Sequence, residues 1–274
     1  MTSAVRFCVI LALGSIVAAQ YKPASDAAIW DEFVKWVAAL SPLSAGQHAD
    51  PADIYIKALA AGGVPADEAK RRWDRIKTTL RRGSPDREKI YWNAEFKLGG
   101  GPSDPLRLLQ ESVLKVRTGK ALDSGMGRGR NAVWLASLGW DVTGYDIAAD
   151  ALSVGQAYAK EAGVKITTIE SSHEKFDFGE NRWDLIVCAY NYMDVTDPKW
   201  PPIMWRALRP GGLVVWQSTA PDTPEFNSKK ILGNWAQFHL VRFEDLDAGT
   251  VDDDWNSTAP RPLRVTRLLV RKQP

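Results

Sequence analysis

The sequence predicts an α/β protein in which a sheet of parallel strands, with an antiparallel hairpin at one edge, follows an N-terminal helical extension. From residue 103 onward, short apolar runs alternate with helical patterns, which is typical of a parallel sheet covered by helices on both faces. The last two apolar runs, 238–243 and 263–271, follow each other without a clear helix between them, as in an antiparallel pair. A chain of 274 residues, 45% of them hydrophobic, can bury a core without disulfides or metals.

Residues 20–90 form the predicted helical extension, because they show helical periodicity and no strand-like alternation. One helix follows Ser25, a second begins at Pro51, and a third runs from Pro65 to Gly83. One face of the third helix is basic, and we interpret it as a solvated face or, alternatively, as a surface for an anionic partner. That face consists of Lys70, Arg71, Arg72, Arg75, Lys77, Arg81 and Arg82.

Residues 91–274 form the predicted main domain, which opens with a glycine-rich, aromatic loop at 91–101 and a helix that starts near 104. Before the final pair, strands are expected at 120–123, 141–146, 165–170, 183–190 and 213–218. Helices are expected at 130–138, 149–162 and 201–208.

The first 19 residues have the pattern of a targeting segment. Arg6 precedes an apolar run at 7–19, which ends in small residues at positions 17–19. Such a run is too short to span a membrane as a helix, so it predicts a signal peptide; an uncleaved anchor and a first buried helix are the alternatives. Cleavage would make the protein exported or periplasmic, whereas the alternatives leave it membrane-anchored or cytoplasmic.

The composition excludes several classes of site. Cys8 and Cys188 are the only cysteines, too few for a disulfide framework, a Cys-rich zinc module or an iron–sulfur cluster. The three histidines, His48, His173 and His239, lie far apart in the sequence, so no metal site is expected. The net charge of +2 gives no general attraction to nucleic acid.

A glycine-rich turn stands between the first predicted strand and the helix that follows it. Gly125, Gly127 and Gly129 follow Asp123 in the pattern D-x-G-x-G-x-G. Glycines allow a sharp turn and let a ligand lie against the backbone without interference from Cβ atoms. Arg130 stands where a dinucleotide fingerprint needs its third glycine, and the Gly-Lys-Ser/Thr of a phosphate-binding loop is absent. The turn therefore predicts a ligand without a pyrophosphate.

Two acidic residues adjoin the predicted ligand. Asp123, at the head of the turn, suits a positively charged amino group better than a phosphate. Asp146 ends the second strand, where a carboxylate can accept hydrogen bonds from both hydroxyls of a ribose; it could also cap the next helix. In this order, the features predict a nucleoside site.

Three segments of the main domain carry a family pattern: ALDSGMGRGRNAVWLASLGWDVTGYD (121–146), RWDLIVCAYNY (182–192) and ALRPGGLVVWQS (207–218). They resemble class I S-adenosylmethionine-dependent methyltransferases, especially bacterial small-molecule enzymes of the tellurite-resistance-like type. The resemblance covers about 91–274 and implies a Rossmann-like, seven-stranded sheet whose last strand is inserted antiparallel. It also implies S-adenosylmethionine as cofactor, with the glycine turn near its methionine part, Asp123 near its amino group and Asp146 near its ribose.

The match extends to further positions around the expected cofactor. Similar proteins often have an acidic residue after the third strand that binds the adenine amino group; here Ser172 or His173 takes that place, since a hydroxyl or a neutral imidazole can accept the same bond. The expected cofactor-binding residues are Asp123, Gly125, Met126, Gly127, Gly129, Arg130, Asn131, Asp146, Ile147, Ser172, His173 and Tyr190.

The implied reaction is an in-line displacement, for which a protein mainly holds the reactants close together and excludes water. Residues after the fourth strand should border the methyl group, because sites open at the carboxyl ends of parallel strands. The candidate catalytic residues are Tyr190, Tyr192 and His173, the last as a base or, alternatively, as an edge of the pocket. Tyr91, Trp92 and Phe96 either close over the site or pack the helical extension against the sheet.

The sequence thus predicts methyl transfer to a small-molecule acceptor. It contains no nucleic-acid-binding module and no Asn/Asp-Pro-Pro-Tyr motif of enzymes that methylate amide nitrogens. Because export would separate the protein from the cytoplasmic cofactor, a non-catalytic protein that binds S-adenosylmethionine or another nucleoside is the second hypothesis. A dinucleotide oxidoreductase is disfavoured by Arg130.

Overall fold

The computed structural model describes residues 23–43, 49–101, 103–220, 223–224, 226–247 and 264–273. The predicted signal segment, Cys8 and His48 lie outside these residues. The chain divides into two compact units, a smaller one within Met1–Ala39 and Ala52–Arg81 and a larger one within Leu40–Pro51 and Arg82–Pro274. The predicted boundary at residue 90 thus falls inside the larger unit. No helix in the described ranges is both long and apolar enough to cross a membrane.

The smaller unit is helical, as predicted. It contains α1 (Asp26–Ala39), most of α2 (Pro51–Ala61) and α3 (Ala66–Arg75), which continues as a single π-helical turn over Ile76–Leu80. Its core is aromatic: the ring centroid of Phe33 lies 5.4 to 6.2 Å from four other rings. Those rings belong to Trp30, Trp36, Tyr55 and Trp73.

The basic face of α3 is only partly a solvated surface. Arg72 is buried and pairs with Glu32 at 2.8 Å and with Glu68 at 3.1 Å. The Tyr55 hydroxyl donates to the same Glu32 carboxylate at 2.9 Å, and Arg81 is buried as well. The expectation of a uniformly exposed basic face is therefore wrong at positions 72 and 81, because acidic partners on neighbouring turns and helices draw Arg72 inward.

The larger unit contains the predicted alternation of helices and strands. Its helices are α4 (Pro85–Lys97), α5 (Arg107–Val113), α6 (Arg130–Ser137), α7 (Ala149–Glu161), α8 (Trp200–Ala207) and α9 (Ser228–Asn234). Its strands are β1 (Lys120–Ser124), β2 (Asp141–Asp146), β3 (Thr167–Glu170), β4 (Trp183–Ala189), β5 (Leu208–Thr219), β6 (His239–Asp247) and β7 (Arg264–Arg271).

The strands form one sheet in the order β3-β2-β1-β4-β5-β7-β6. The first five strands of the chain pair in parallel, whereas β7 is antiparallel to both β5 and β6. Alternate residues of the central strands enter two hydrophobic clusters, one on each face; Ala121 and Leu185 face one cluster, and Leu122 and Ile186 the other. This arrangement confirms the predicted fold class.

One local prediction is wrong. Residues 91–101 are not a loop, because α4 begins after Ser84 with proline at its first position and continues to Lys97. Only the glycines that follow it break the helix, and Gly99 has a φ of 77°. The segment before β6 also contains the unpredicted helix α9, whose N-terminus is capped by Asn227 through the backbone N–H of Lys230.

Candidate active site

The cavity at the carboxyl ends of the parallel strands has a volume of about 690 Å³, within the usual range for small-molecule sites. Its walls come from the segments that follow β1, β2, β3 and β4, and from residues in and around α4. Carboxyl ends of parallel strands share one edge of a sheet, which brings these segments together. Every lining residue belongs to the larger unit.

The glycine turn after β1 forms one wall of this cavity. Gly125 and Gly127 have φ values of 65° and 53°, which residues with a side chain rarely adopt. A Cβ atom on Gly125 would lie 2.9 Å from Cβ of Asn191, and one on Gly127 would lie 3.1 Å from Cζ of Phe96. Space and backbone conformation therefore both require glycine at these two positions.

Gly129, the third glycine of the motif, does not line the cavity. A Cβ atom there would lie 3.0 Å from Cε of Met126 and 3.3 Å from Cα of Gly155, which belongs to α7. The space beside Gly129 thus accommodates close packing of the turn against that helix. Whether Gly129 contacts a cofactor, as the sequence predicts, stays a prediction.

Asp123 lies beneath the turn rather than in the cavity wall. It is fully buried, and neither oxygen of its carboxylate has a hydrogen-bonding partner of normal geometry, although the backbone N–H of Ala132 and the side chain of Asn131 are close enough to favour its charged form. Burial raises the pKa of this carboxyl to about 7, although the nearby Arg130 guanidinium opposes the shift. A buried carboxylate without a hydrogen-bonding partner favours binding of a positively charged group nearby.

Asp146 connects the turn with the segment after β2. Its Oδ2 accepts a hydrogen bond from the backbone N–H of Gly127, and its Oδ1 accepts one from the backbone N–H of Ala148, both at 2.9 Å. Burial nevertheless raises the pKa of Asp146. Each carboxylate oxygen can accept more than one hydrogen bond, so ribose hydroxyls can add to the two backbone donors.

The segment after β3 contributes Ser172 and His173 to the cavity wall. The Ser172 hydroxyl oxygen is buried without a hydrogen-bonding partner. His173 Nδ1 lies 2.9 Å from the Tyr145 hydroxyl, which in turn lies 2.6 Å from the hydroxyl of Ser124. Burial lowers the pKa of His173 to about 4, so the imidazole is neutral at pH 7.

Three predicted cofactor-binding residues have side chains that hydrogen-bond to or pack against other parts of the protein near the cavity. Arg130 donates to the backbone carbonyl of Asp104 at 2.9 Å, and Asn131 accepts from the backbone N–H of Leu106 at 2.8 Å. The Met126 side chain packs where a Cβ atom on Gly144 would otherwise stand. All three still border the cavity.

The candidate acceptor end of the cavity is aromatic. Trp92 and Phe96 of α4 line it together with Tyr192, whose ring centroid lies 5.5 Å from that of Trp92. Tyr192 is 52% exposed. Tyr91 does not line the cavity and instead donates a hydrogen bond to Glu95 at 2.6 Å. Of the predicted set Tyr91, Trp92 and Phe96, the last two thus line the cavity, and the candidate catalytic residue Tyr192 adds a ring from the segment after β4.

Tyr190 lies at the end of β4 and also lines the cavity. Its φ of 51° is rare for a residue with a side chain. The hydroxyl oxygen of Tyr190 accepts a hydrogen bond from Nε2 of Gln217 at 2.8 Å. Cys188, two residues earlier, is fully buried, which raises its thiol pKa and argues against a nucleophilic role.

Most of the residues predicted from the sequence meet in this one cavity. Those in its wall are Gly125, Met126, Gly127, Arg130, Asn131, Asp146, Ile147, Ser172, His173, Tyr190 and Tyr192. Sequence reasoning missed Gln217, which contacts Tyr190 from below. In the sequence, Gln217 could have been noticed as a polar residue within the apolar run that forms β5.

The residues present fit a nucleoside that carries an amino group. Two buried polar groups have no hydrogen-bonding partner: the Asp123 carboxylate, which lies next to the cavity, and the Ser172 hydroxyl, which lies in its wall. At Gly125 and Gly127 the wall consists of backbone without side chains. Asp146 supplies the carboxylate that a ribose requires. These groups are compatible with S-adenosylmethionine.

Comparison with known proteins agrees with this assignment. Residues 121–212, about a third of the chain, match the model of a family described as a methyltransferase domain. This segment is similar to a methyltransferase domain. It contains the glycine turn, Asp146 and the cavity residues that follow β3 and β4. The family resemblance predicted from the sequence is thereby confirmed.

Curated relatives of the methyltransferase domain are similar over part of their length. The ubiquinone biosynthesis O-methyltransferase of Rickettsia conorii is 39% identical over 67 residues, which are 24% of this chain and 23% of that protein. The protein of the same name from Alkalilimnicola ehrlichii is 30% identical over 161 residues, or 53% of this chain and 64% of that protein. The chain therefore spans less than two thirds of either relative.

A solved structure supports the fold of the domain. TehB from Haemophilus influenzae is 18% identical, with a TM-score of 0.50, and the match covers 61% of each chain. At this identity the similarity concerns the fold alone, and it agrees with the observed sheet order.

Proposed function

We propose that this protein transfers a methyl group from S-adenosylmethionine to the hydroxyl oxygen of a small-molecule acceptor. The observation that carries the proposal is the buried, unbonded carboxylate of Asp123 beneath the turn at Gly125 and Gly127, within a methyltransferase domain. A cationic amino group above the turn would compensate the charge of Asp123.

The remaining residues of the cavity then have complementary roles. Asp146 holds the ribose, and Ser172 supplies a hydroxyl to the nucleobase end. When bound, the sulfonium of S-adenosylmethionine supplies an activated methyl group. The aromatic residues Trp92 and Tyr192 exclude water from the acceptor side and provide faces that attract a sulfonium.

Oxygen as the methyl-accepting atom is supported by the relatives. Both curated relatives described above carry the name O-methyltransferase. His173 lies at the cavity wall as a neutral imidazole, but its pKa of about 4 makes it a weak base, so the proton of the hydroxyl leaves to solvent. The size of the cavity limits the reacting part of the acceptor to a small molecule.

Calorimetric titration tests the cofactor assignment. The wild-type protein should bind both S-adenosylmethionine and S-adenosylhomocysteine. Gly127→Val should weaken binding by at least about tenfold, because its side chain would meet Phe96 at the cavity wall. Gly139→Val is the matched control: Gly139 also has a positive φ, 89°, but a Cβ atom there meets nothing within 4 Å. Absence of binding to the wild-type protein would refute the assignment.

An acceptor panel then tests the reaction. Phenols, catechols, aliphatic alcohols, amines and thiols are each incubated with the protein and S-adenosylmethionine, and released S-adenosylhomocysteine is measured. Turnover of a hydroxyl compound, with formation of its methyl ether, supports the proposal. Binding of the cofactor without turnover of any acceptor supports the non-catalytic binding protein instead.

A further inference from the structure

A row of polar side chains crosses the sheet directly beneath Tyr190. In the register of the sheet, Gln217 of β5 stands opposite Arg267 of β7, which stands opposite Glu244 of β6. Gln217 is fully buried and Arg267 is 8% exposed. Arg267 Nε donates to Gln217 Oε1 at 2.9 Å, and Arg267 Nη1 lies 3.2 Å from Glu244 Oε2. The row therefore extends from the rim of the sheet to the cavity.

Tyr190 is held at two points by the inner end of this row. Its backbone N–H donates to the backbone carbonyl of Gln217 at 2.8 Å, and its hydroxyl oxygen accepts from Gln217 Nε2 at the same distance. Together these contacts stabilise a left-handed backbone conformation that is unfavourable for tyrosine. Strain of this kind, maintained by buried partners next to a cavity, points to a positioning function.

The direction of each hydrogen bond in the row is fixed by chemistry. An arginine Nε only donates, so Gln217 must present Oε1 to Arg267 and Nε2 to Tyr190. An amide Nε2 also only donates, so the Tyr190 oxygen must accept this bond. The hydroxyl hydrogen of Tyr190 is consequently directed away from Gln217.

From this geometry we propose that Gln217 and Arg267 are positioning residues, which orient Tyr190 to donate a hydrogen bond to the methyl-accepting oxygen of the substrate. The inference rests on the proposed function and refines its substrate class to hydroxyl compounds whose oxygen carries negative charge as it reacts, such as phenols. A tyrosine hydroxyl that donates to such an oxygen lowers the pKa of the acceptor and so favours its ionised form, and it leaves another lone pair for attack.

The atoms of this step balance without a further reactant. The hydroxyl proton of the acceptor leaves to solvent, and the acceptor oxygen forms the new bond to the methyl carbon. The bond between that carbon and sulfur breaks, and its electron pair stays on sulfur, which gives S-adenosylhomocysteine. Tyr190 keeps its own proton throughout, so its contribution is orientation and charge stabilisation.

A reversal of the hydrogen bond tests the inference. In Gln217→Glu the carboxylate has nearly the same shape and still accepts from Arg267, but it can only accept from Tyr190. Tyr190 must then donate inward. We expect kcat/KM for the best phenolic acceptor to fall about 10- to 100-fold, as for loss of a hydrogen bond to a charged group. Tyr190→Phe should show a similar loss, and the double variant should lose little more.

Two further measurements separate positioning from a structural effect. The affinity for S-adenosylmethionine should stay unchanged in Gln217→Glu. In the complex with S-adenosylhomocysteine, the visible spectrum of 4-nitrocatechol should report a pKa of the bound probe at least about one unit lower in the wild type than in Gln217→Glu. Gln110→Glu on α5, outside the cavity wall, is the matched control and should behave as the wild type.

The outcomes distinguish this inference from the proposed function. If the wild type binds S-adenosylmethionine and methylates a hydroxyl compound while Gln217→Glu retains full kcat/KM, the inference alone is overturned. Failure of 4-nitrocatechol to bind the wild-type complex, or a probe pKa that is equal in both proteins, overturns it as well. If the wild type binds no S-adenosylmethionine, the proposed function and the inference both fail.

Discussion

Asp123 is buried without a hydrogen bond, an arrangement that destabilises its charged form. Its pKa of about 7 in the folded protein lies well above the usual aspartate value of 3.8, mainly because burial desolvates the carboxylate. Between these two values the folded state binds more protons than the unfolded state. Stability contributed by this group is therefore present at low pH and is lost as the pH rises toward about 7.

The variant Asp123→Asn should remove this dependence. At pH 8 we expect it to be more stable than the wild type by on the order of 2–4 kcal/mol, because a neutral amide replaces an unpaired buried charge. At pH 4 the difference should be small. Chemical denaturation at both pH values measures it, and calorimetry should show weakened binding of S-adenosylmethionine.

Opposite results would contradict this account of Asp123. Lower stability of Asp123→Asn at pH 8 would mean that the carboxylate has a stabilising partner in the folded protein. Unchanged affinity for S-adenosylmethionine would mean that its charge does not act on the ligand.

The sequence could place some residues in the candidate site but not others. Asp123, Gly125, Gly127 and Asp146 belong to a motif in which a strand end and a turn fix their neighbours, and the structure brings them together. The contact between Gln217 and Tyr190 depends on the pairing of β5 with β4. The orientation of the Gln217 amide depends on Arg267, which the pairing of β7 with β5 brings opposite it. Such a register is set by the whole hairpin and cannot be obtained from local sequence.

At the scale of elements, apolar runs located the strands well. The expected strands overlap the observed β1, β2, β3, β4 and β5, since both faces of the sheet are buried and leave continuous apolar runs. The helix α4 was missed because its aromatic residues and the glycines after it resemble a loop. Its apolar face is stabilised by tertiary packing of Phe96 against Ala148 and Ala151, which a local pattern does not show.

The helices of the smaller unit depend on the buried arginine of α3. Arg72→Leu should destabilise this unit by about 2–3 kcal/mol, because it removes the buried guanidinium that pairs with Glu32 and Glu68, although Tyr55 and Arg71 still contact these carboxylates. Urea denaturation followed by far-ultraviolet circular dichroism measures the change in unfolding free energy.

Arg75→Leu on the same helix is the control for this prediction. Arg75 pairs with Asp26, but both side chains are about half exposed, so its removal should change the unfolding free energy by less than about 1 kcal/mol. Equal effects of the two substitutions would contradict the structural role assigned to Arg72.

At the scale of the whole molecule, the cavity and its chemistry lie within the larger unit. Every residue of the cavity wall comes from residues 82–192, and the matched methyltransferase segment begins at β1 of the same unit. A purified protein that comprises residues 23–274 should therefore retain the binding of S-adenosylmethionine in a calorimetric titration, because every described residue of the cavity wall lies within that range.

A structure of the complex with S-adenosylhomocysteine tests the central claim most directly. We expect the ligand to lie against the backbone of Gly125 and Gly127, with its amino group on the side of Asp123 and its ribose hydroxyls on Asp146. A complex in which Phe96 and Asn191 still cover that turn, with the ligand bound elsewhere, would contradict the account.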